Sequence, residues 1–217
     1  MSSQPLPTQP QPGSSTTSAW FLWISPSITD LLFLVMFFAL TCGVLAPRLL
    51  WDGGIGWHIR NGQQMLETHT ITRVDSFSST MSGQAWYAWE WLYDGLIAAI
   101  HGAMGLNGVE FFSALVIAAT FTLVLRLALL RGASLLTSTA LLLLSIAACS
   151  IHLLARPHLL SWLFGVVWFQ IVDSAAKAES PHRRRLYWLP LLMLIWVNVH
   201  GGFVFGLILL VLYLVGG

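Results

Sequence analysis

The chain has 217 residues, of which 56% are hydrophobic and 9% charged, with a formal net charge of +1 at pH 7. Apolar blocks near the length of a bilayer span recur along it, so the composition excludes an ordinary soluble domain and points to an integral membrane protein in a lipid bilayer. Its basic residues are scattered except for one cluster, which gives no surface for a nucleic-acid partner.

Residues 1–18, MSSQPLPTQPQPGSSTTS, carry no charge and almost no apolar content. They are expected to be a disordered cytoplasmic tail. No Lys or Arg precedes Arg48, so the first apolar block lacks the basic n-region of a secretory signal and reads as a retained anchor. Residues 19–217 then form one transmembrane domain. Its first piece, 19–24, is aromatic and suits the membrane interface. Asp30 is placed to cap a first helix over 31–50, interrupted only by Pro47 and Arg48.

A long loop follows, 51–105, rich in Gly, Asn, Gln, Thr and Ser. Residues 57–66 have the pattern of a short amphipathic helix on the membrane surface. Residues 71–81, with many Thr, Ser and β-branched residues, read as extended or irregular. Trp86, Trp89 and Trp91 form an aromatic cluster at headgroup depth. Residues 90–104 have a helical period but are short and polar at Asp94 and His101, which predicts a second surface or re-entrant helix. Beyond the loop the pattern gives spans over 109–130, 133–154, 159–176 and 186–199, and a sixth from Phe203. The predicted fold class is therefore all-α: a polytopic transmembrane helix bundle with about six spans and a long outer loop carrying short surface helices. The last apolar block has no flanking polar segment, so further helices are expected in a longer protein.

Positive charges in short loops set the orientation. The basic loop 177–185 is expected to be cytoplasmic, and Arg131 agrees with it because two helices separate them. That places the amino terminus in the cytoplasm. It also sends three polar clusters to the opposite face: the long loop, Arg156-Pro157-His158, and the end of the fifth helix at Asn198 and His200. The long loop has two Arg against Asp52, Glu67, Asp75, Glu90 and Asp94, and a net negative loop fits the outside.

Each candidate residue admits a chemical and a structural reading. Asp52, just past the first helix, is a general base with a raised pKa, or a helix-end residue before Gly53 and Gly54. In the run Trp57, His58, Ile59, Arg60, the indole can stack on a sugar and the cation can meet phosphate. The alternative is an interfacial helix with Arg60 among headgroups. Asp75 is a candidate substrate-binding residue, or a turn residue that binds its own backbone. Glu90, between Trp89 and Trp91, is either desolvated by the aromatics or caps its own helix. Arg156 is a headgroup anchor or a ligand for a lipid phosphate, with His158 beside it. Asn198 and His200 are site residues at membrane depth or simple caps. No His pair has zinc spacing and neither Cys42 nor Cys149 joins them, so no protein-bound transition metal is expected. A divalent cation such as Mg or Mn on Asp52 or Glu90 stays open as a cofactor. A transporter or flippase, or an inactive assembly subunit, is the competing class. Clean apolar block centres and the lack of repeats weigh against transport.

Taken together, DGGIGWHIRNG from Asp52, VDSFS around Asp75, EWL from Glu90, RPH from Arg156 and NVHGG from Asn198 carry a resemblance. In order and spacing they resemble an uncharacterised bacterial branch of the GT-C polytopic glycosyltransferases, related to lipid-linked-sugar-dependent transferases. The resemblance covers residues 30–217. It departs at Gly54, where the pattern often has a second acid. It implies a bacterial inner-membrane enzyme that moves a sugar from a polyprenyl-phosphate donor to an acceptor of unknown identity on the outer face. It also implies Asp52 as the base, Arg156 on the phosphate leaving group, and Trp57, His58 and Glu90 shaping the sugar site.

Overall fold

Ser27 opens the first helix, with Asp30 as its partner three residues on. The Ser27 hydroxyl accepts from the Asp30 amide at 3.2 Å, and the Asp30 carboxylate accepts from the Ser27 amide at 2.8 Å. This reciprocal box satisfies two amides that have no carbonyl partner at a helix start. The helix, α1, runs Ile28–Thr41 and is shorter than hydropathy alone predicts. Pro47 accounts for the difference: it has no N–H, and its ring would strike the carbonyl four residues back in a continuous helix. The chain resumes instead as a 3-10 turn, Ala46–Leu50, with Pro47 in its first turn.

The structure is a computed structural model that describes residues 26–43, 45–176 and 181–216. The expected tail 1–18, the interfacial segment 19–24 and residues 177–180 of the basic loop lie outside the described residues. After α1 come α2 (Gly54–Thr68), α3 (Trp91–Leu130), α4 (Leu135–Cys149) and α5 (His158–Ala176). A 3-10 segment, Pro181–Trp188, leads into α6 (Leu189–Val199) and α7 (Phe203–Gly216). Among the described residues the only β pairing is an isolated bridge between Val74 and Ala85, so the fold is all-α and residues 71–81 are irregular as expected. Three helical stretches, Trp91–Leu130, Leu135–His152 and His158–Ala176, are long and apolar enough to cross a bilayer. Ile28–Thr41 and Phe203–Gly216 are apolar but shorter.

The longest helix, α3, is two helices in register. Gly105 has φ 64° and ψ −159°, values open to glycine and costly for other residues, and there the axis breaks. The arm before it, 91–104, is the separate short helix that the sequence predicts. The arm after it forms the centre of the bundle: Val109, Ala114, Ile117 and Ala118 have no exposed surface. Phe111 meets Phe37 of α1 edge to face at 5.0 Å. Two buried hydroxyls on this arm are paired by bonding back one turn, Ser113 to the Val109 carbonyl and Thr120 to that of Val116, each at 2.8 Å. A second apolar cluster joins α5, α6 and α7 through Trp168, Val172, Leu189 and Trp196.

The bundle has two polar ends. At one, Arg131 pairs with Asp173 and lies 4.7 Å over the Phe169 ring, while the Tyr213 hydroxyl donates to Asp173 at 2.9 Å. This ties the ends of α3, α5 and α7 together. At the other end α2 packs on the first arm of α3. Its buried residues Ile55, His58, Ile59, Gly62 and Met65 follow helical spacing, so this amphipathic helix turns its inner face to protein. Gly62 makes the approach close enough: a Cβ there would run into the backbone carbonyl of Asp94. Gly62→Ala is expected to cost about 1–3 kcal/mol through overpacking and to lower the melting temperature in detergent micelles. A change at the exposed Gly56 should leave it unaltered.

Candidate functional site

A backbone hydrogen bond builds the site. The Ala155 amide donates to the Leu49 carbonyl at 2.8 Å, joining the chain after α1 to the chain before α5. Leu49 is 1% exposed and Ala155 also 1%, so the junction is fully buried. Three residues on from Leu49 stands Asp52, and one residue on from Ala155 stands Arg156. The junction sets them face to face, and Arg156 pairs through Nε and a terminal nitrogen with Asp52 Oδ2. The second carboxylate oxygen accepts from the Gly54 amide at 3.0 Å.

That arrangement explains Gly54. A Cβ at this position would meet the Arg156 guanidinium. Where the resembling pattern often has a second acid, this chain has the space that its arginine fills. With one Asp52 oxygen on Arg156 and the other on a backbone amide, the group does not suit a divalent cation. Among the described residues no three His, Cys, Asp or Glu side chains stand at metal-ligand spacing.

The pKa direction of Asp52 is opposite to the sequence expectation. The Gly54 amide, and after it the Arg156 guanidinium, hold the carboxyl below the ordinary range against the pull of burial. The acid that is raised is Glu90. Partial burial pushes its carboxyl up, a neighbouring Asp94 adds to this, and His58 and Arg156 oppose it. Its side chain makes no cap bond to α3, so of the two readings of Glu90 desolvation is the one observed.

Around Glu90 stand two imidazoles. His58 Nε2 is 3.9 Å from Oε2, and His200 Nε2 is 3.7 Å from Oε1. Each ring is held from behind. His58 Nδ1 lies 2.6 Å from Asp94 Oδ1, and Asn61 donates to Asp94 Oδ2 at 2.5 Å. His200 Nδ1 accepts from the Gly202 amide at 3.0 Å and lies 2.9 Å from the Ser161 hydroxyl, which accepts from Trp196 Nε1 at 2.7 Å. Burial lowers the pKa of His200, and His158 and His58 add to it. Asn198 accepts from Trp91 Nε1 at 2.8 Å, fastening the end of α6 to the start of α3. His158 sits with its ring 6.4 Å from that of His200 and Nε2 2.7 Å from the His152 carbonyl.

Of the residues singled out in the sequence, Asp52, His58, Glu90, Arg156, His158, Asn198 and His200 gather at this end. Trp57 stands beside them. It meets Phe77 at 5.1 Å and Trp86 at 6.0 Å, and with His58, Trp86, Tyr87, Trp89, Glu90 and others it lines a cavity of about 290 Å³. Arg60 is exposed on the opposite face of α2. Asp75 is a turn residue: its carboxylate accepts from the Phe77 and Ser78 amides, each at 2.9 Å, and from the Ser78 hydroxyl at 2.5 Å. The Ser78 hydroxyl first, then these amides, lower its pKa.

Sequence reading missed Asn61, Asp94, Ser161 and Trp196. Asp94 could have been found: an acid in an apolar helix, one turn from Glu90, is a functional candidate by default. Asn61 shares the His58 face at i, i+3. Ser161 had no signal, since a lone Ser in an apolar helix is common.

No protein-family model, curated protein or solved structure matches the chain.

Because the fold raises the Glu90 pKa, folding favours its protonated form. Wild type therefore loses stability as pH rises from the ordinary glutamate pKa of about 4.3 through the folded value. Glu90→Gln is expected to melt at a higher temperature than wild type at neutral pH. The gap should close as the pH falls toward about 4.

Proposed function

We propose that the chain is a membrane glycosyltransferase of the GT-C type, moving a sugar from a polyprenyl-phosphate donor to an acceptor at the outer face. The observation that carries this reading is the union of a charged site with a lipid-sized groove. An apolar groove of about 550 Å³ is lined by Phe121, Val124, Trp162, Phe169, Phe205 and neighbours, and its wall includes Ser161. The hydroxyl of Ser161 is within hydrogen-bond distance of His200, which faces Glu90. In this reading part of the isoprenoid chain lies in the groove, with its phosphate at Arg156 and its sugar against the Trp57 and Trp86 walls.

In this reading the six-span bundle lies in the bacterial inner membrane with a cytoplasmic amino terminus, and 51–105 is an outer loop. Departure of a phosphate needs charge stabilisation more than protonation. Arg156 supplies it: Asp52 engages its Nε and one terminal nitrogen, and the other terminal nitrogen is left for a phosphate oxygen. The pair is about one-third exposed, 37% for Arg156 and 30% for Asp52. Such a pair contributes on the order of 1 kcal/mol or less to stability. Its value lies in aiming the guanidinium. Glu90 is the stronger base of the two acids and takes the proton of the acceptor nucleophile as it attacks the anomeric carbon, while Asp52 holds the arginine. This moves to Glu90 the base role that the resemblance gives to Asp52.

Membranes containing the chain are expected to transfer label from a polyprenyl-phosphate sugar. Glu90→Gln should reduce the rate by about 10²–10⁴-fold, the usual contribution of a general base. Arg156→Gln should reduce it by about 10²–10³-fold, as for other lost charge-stabilising donors. Absence of transfer by the wild type, with the folded chain present, would sink the reading. Equal rates for wild type and Glu90→Gln would remove Glu90 as base.

A further inference from the structure

Glu90 stands between two histidines whose backing groups differ in kind, and that difference fixes where their protons lie. Behind His58 are acceptors: Asp94 Oδ1 lies 2.6 Å from Nδ1, and the other Asp94 oxygen is occupied by the Asn61 amide at 2.5 Å. A carboxylate oxygen facing a ring nitrogen demands a proton on that nitrogen, so neutral His58 is protonated at Nδ1. Its Nε2 then presents a lone pair toward Glu90 Oε2. Behind His200 the opposite holds. The Gly202 amide is an obligatory donor and points at Nδ1 from 3.0 Å. Neutral His200 must carry its proton on Nε2, and that N–H faces Glu90 Oε1.

We infer that Glu90, His58 and His200 form a directional proton relay, in which His200 donates toward one oxygen of Glu90 and His58 accepts from the other. The inference rests on the role of Glu90 as base. When the acceptor attacks, its O–H or N–H bond breaks and an O–H bond forms on Glu90. That O–H bond then breaks and an N–H bond forms on His58 Nε2, giving an imidazolium balanced by Asp94. Glu90 returns to the carboxylate, and no co-reactant is needed. The gaps of 3.9 and 3.7 Å exceed direct hydrogen bonds, and a small χ rotation closes each. Asp94 and Ser161 are positioning residues: the first sets the His58 tautomer, and the second holds the His200 ring from α5. The titratable and charged groups around Glu90 are His58 on α2, Asp94 on α3, Arg156 before α5 and His200 after α6.

The test is the tautomer of each ring in the intact chain. Protein labelled with ¹⁵N-histidine and held in lipid nanodiscs at neutral pH is read by two-bond ¹H–¹⁵N correlations, with His58→Gln and His200→Gln identifying each signal. His58 is expected as the Nδ1–H form and His200 as the Nε2–H form. The same tautomer in both rings, or a doubly protonated ring in the resting protein, overturns the relay. A sugar-transfer assay on the same preparation separates the two ideas. Opposite tautomers without any transfer sink the transferase and with it the catalytic use of the relay, while the proton order His200–Glu90–His58 stands; transfer with matching tautomers sinks the relay alone. Should either Gln variant fail to fold, His58→Asn or His200→Asn provides the assignment.

Discussion

The Leu49 carbonyl and the Ala155 amide meet at a point where two apolar segments cross and both residues are closed to solvent. A buried amide without a partner costs about 1–3 kcal/mol, so these two segments have one favourable register and several poor ones. Everything charged at this end inherits that register. Asp52 and Arg156 follow the junction by a few residues on each chain, and Gly54 leaves the space in which the guanidinium lies. The α2 helix then begins directly after Asp52, which places His58 one turn in and turns it toward the start of α3.

From that register grows a polar layer inside an otherwise greasy bundle. Its members share their oxygens and nitrogens economically: each Asp94 oxygen has one partner and the Ser161 hydroxyl serves two. The sharing is not complete. The Asn61 carbonyl oxygen is buried without a partner, an expense the fold accepts to keep the amide nitrogen on Asp94. In a low-dielectric surrounding such pairs are strong when intact and costly when broken. Partial burial of a carboxylate is likewise a stability cost, and at Glu90 it coincides with the group proposed as base.

The helical frame was legible in the residues because long apolar blocks have few alternatives. The break before 109–130, the irregular stretch 71–81 and the starts of α5 and α7 all follow from hydropathy and glycine placement. The end of α1 and the start of α6 were less legible: Pro47 and Pro190 begin new turns, and a hydropathy window averages across them. The site was legible by side-chain type. Asp52, Glu90, Arg156 and His200 stood out as ionisable groups beside apolar blocks, and in the structure they meet. Their protonation was not legible, since the depressed Asp52 and the raised Glu90 are set by the Gly54 amide and by burial. Neither has a sequence signature. Asp75, which looks as prominent as Asp52 in one dimension, spends its carboxylate on three local donors.

The broken axis at Gly105 separates the arm of α3 that carries the polar site from the arm that lies at the centre of the bundle. Residues 91–104 are held by α2 and by the Trp91–Asn198 bond, whereas the following arm sits in the bundle. Transmembrane helices meet bilayers of differing thickness largely by tilting. In a straight 40-residue helix such a tilt would swing Glu90 and Asp94 through several ångströms at the far end. With a glycine joint between them, the arm can follow the lipid while the carboxylates keep their distances from His58 and His200. The joint therefore lets the two arms of α3 take different angles, so that a tilt of the bundle arm need not carry the polar cluster with it.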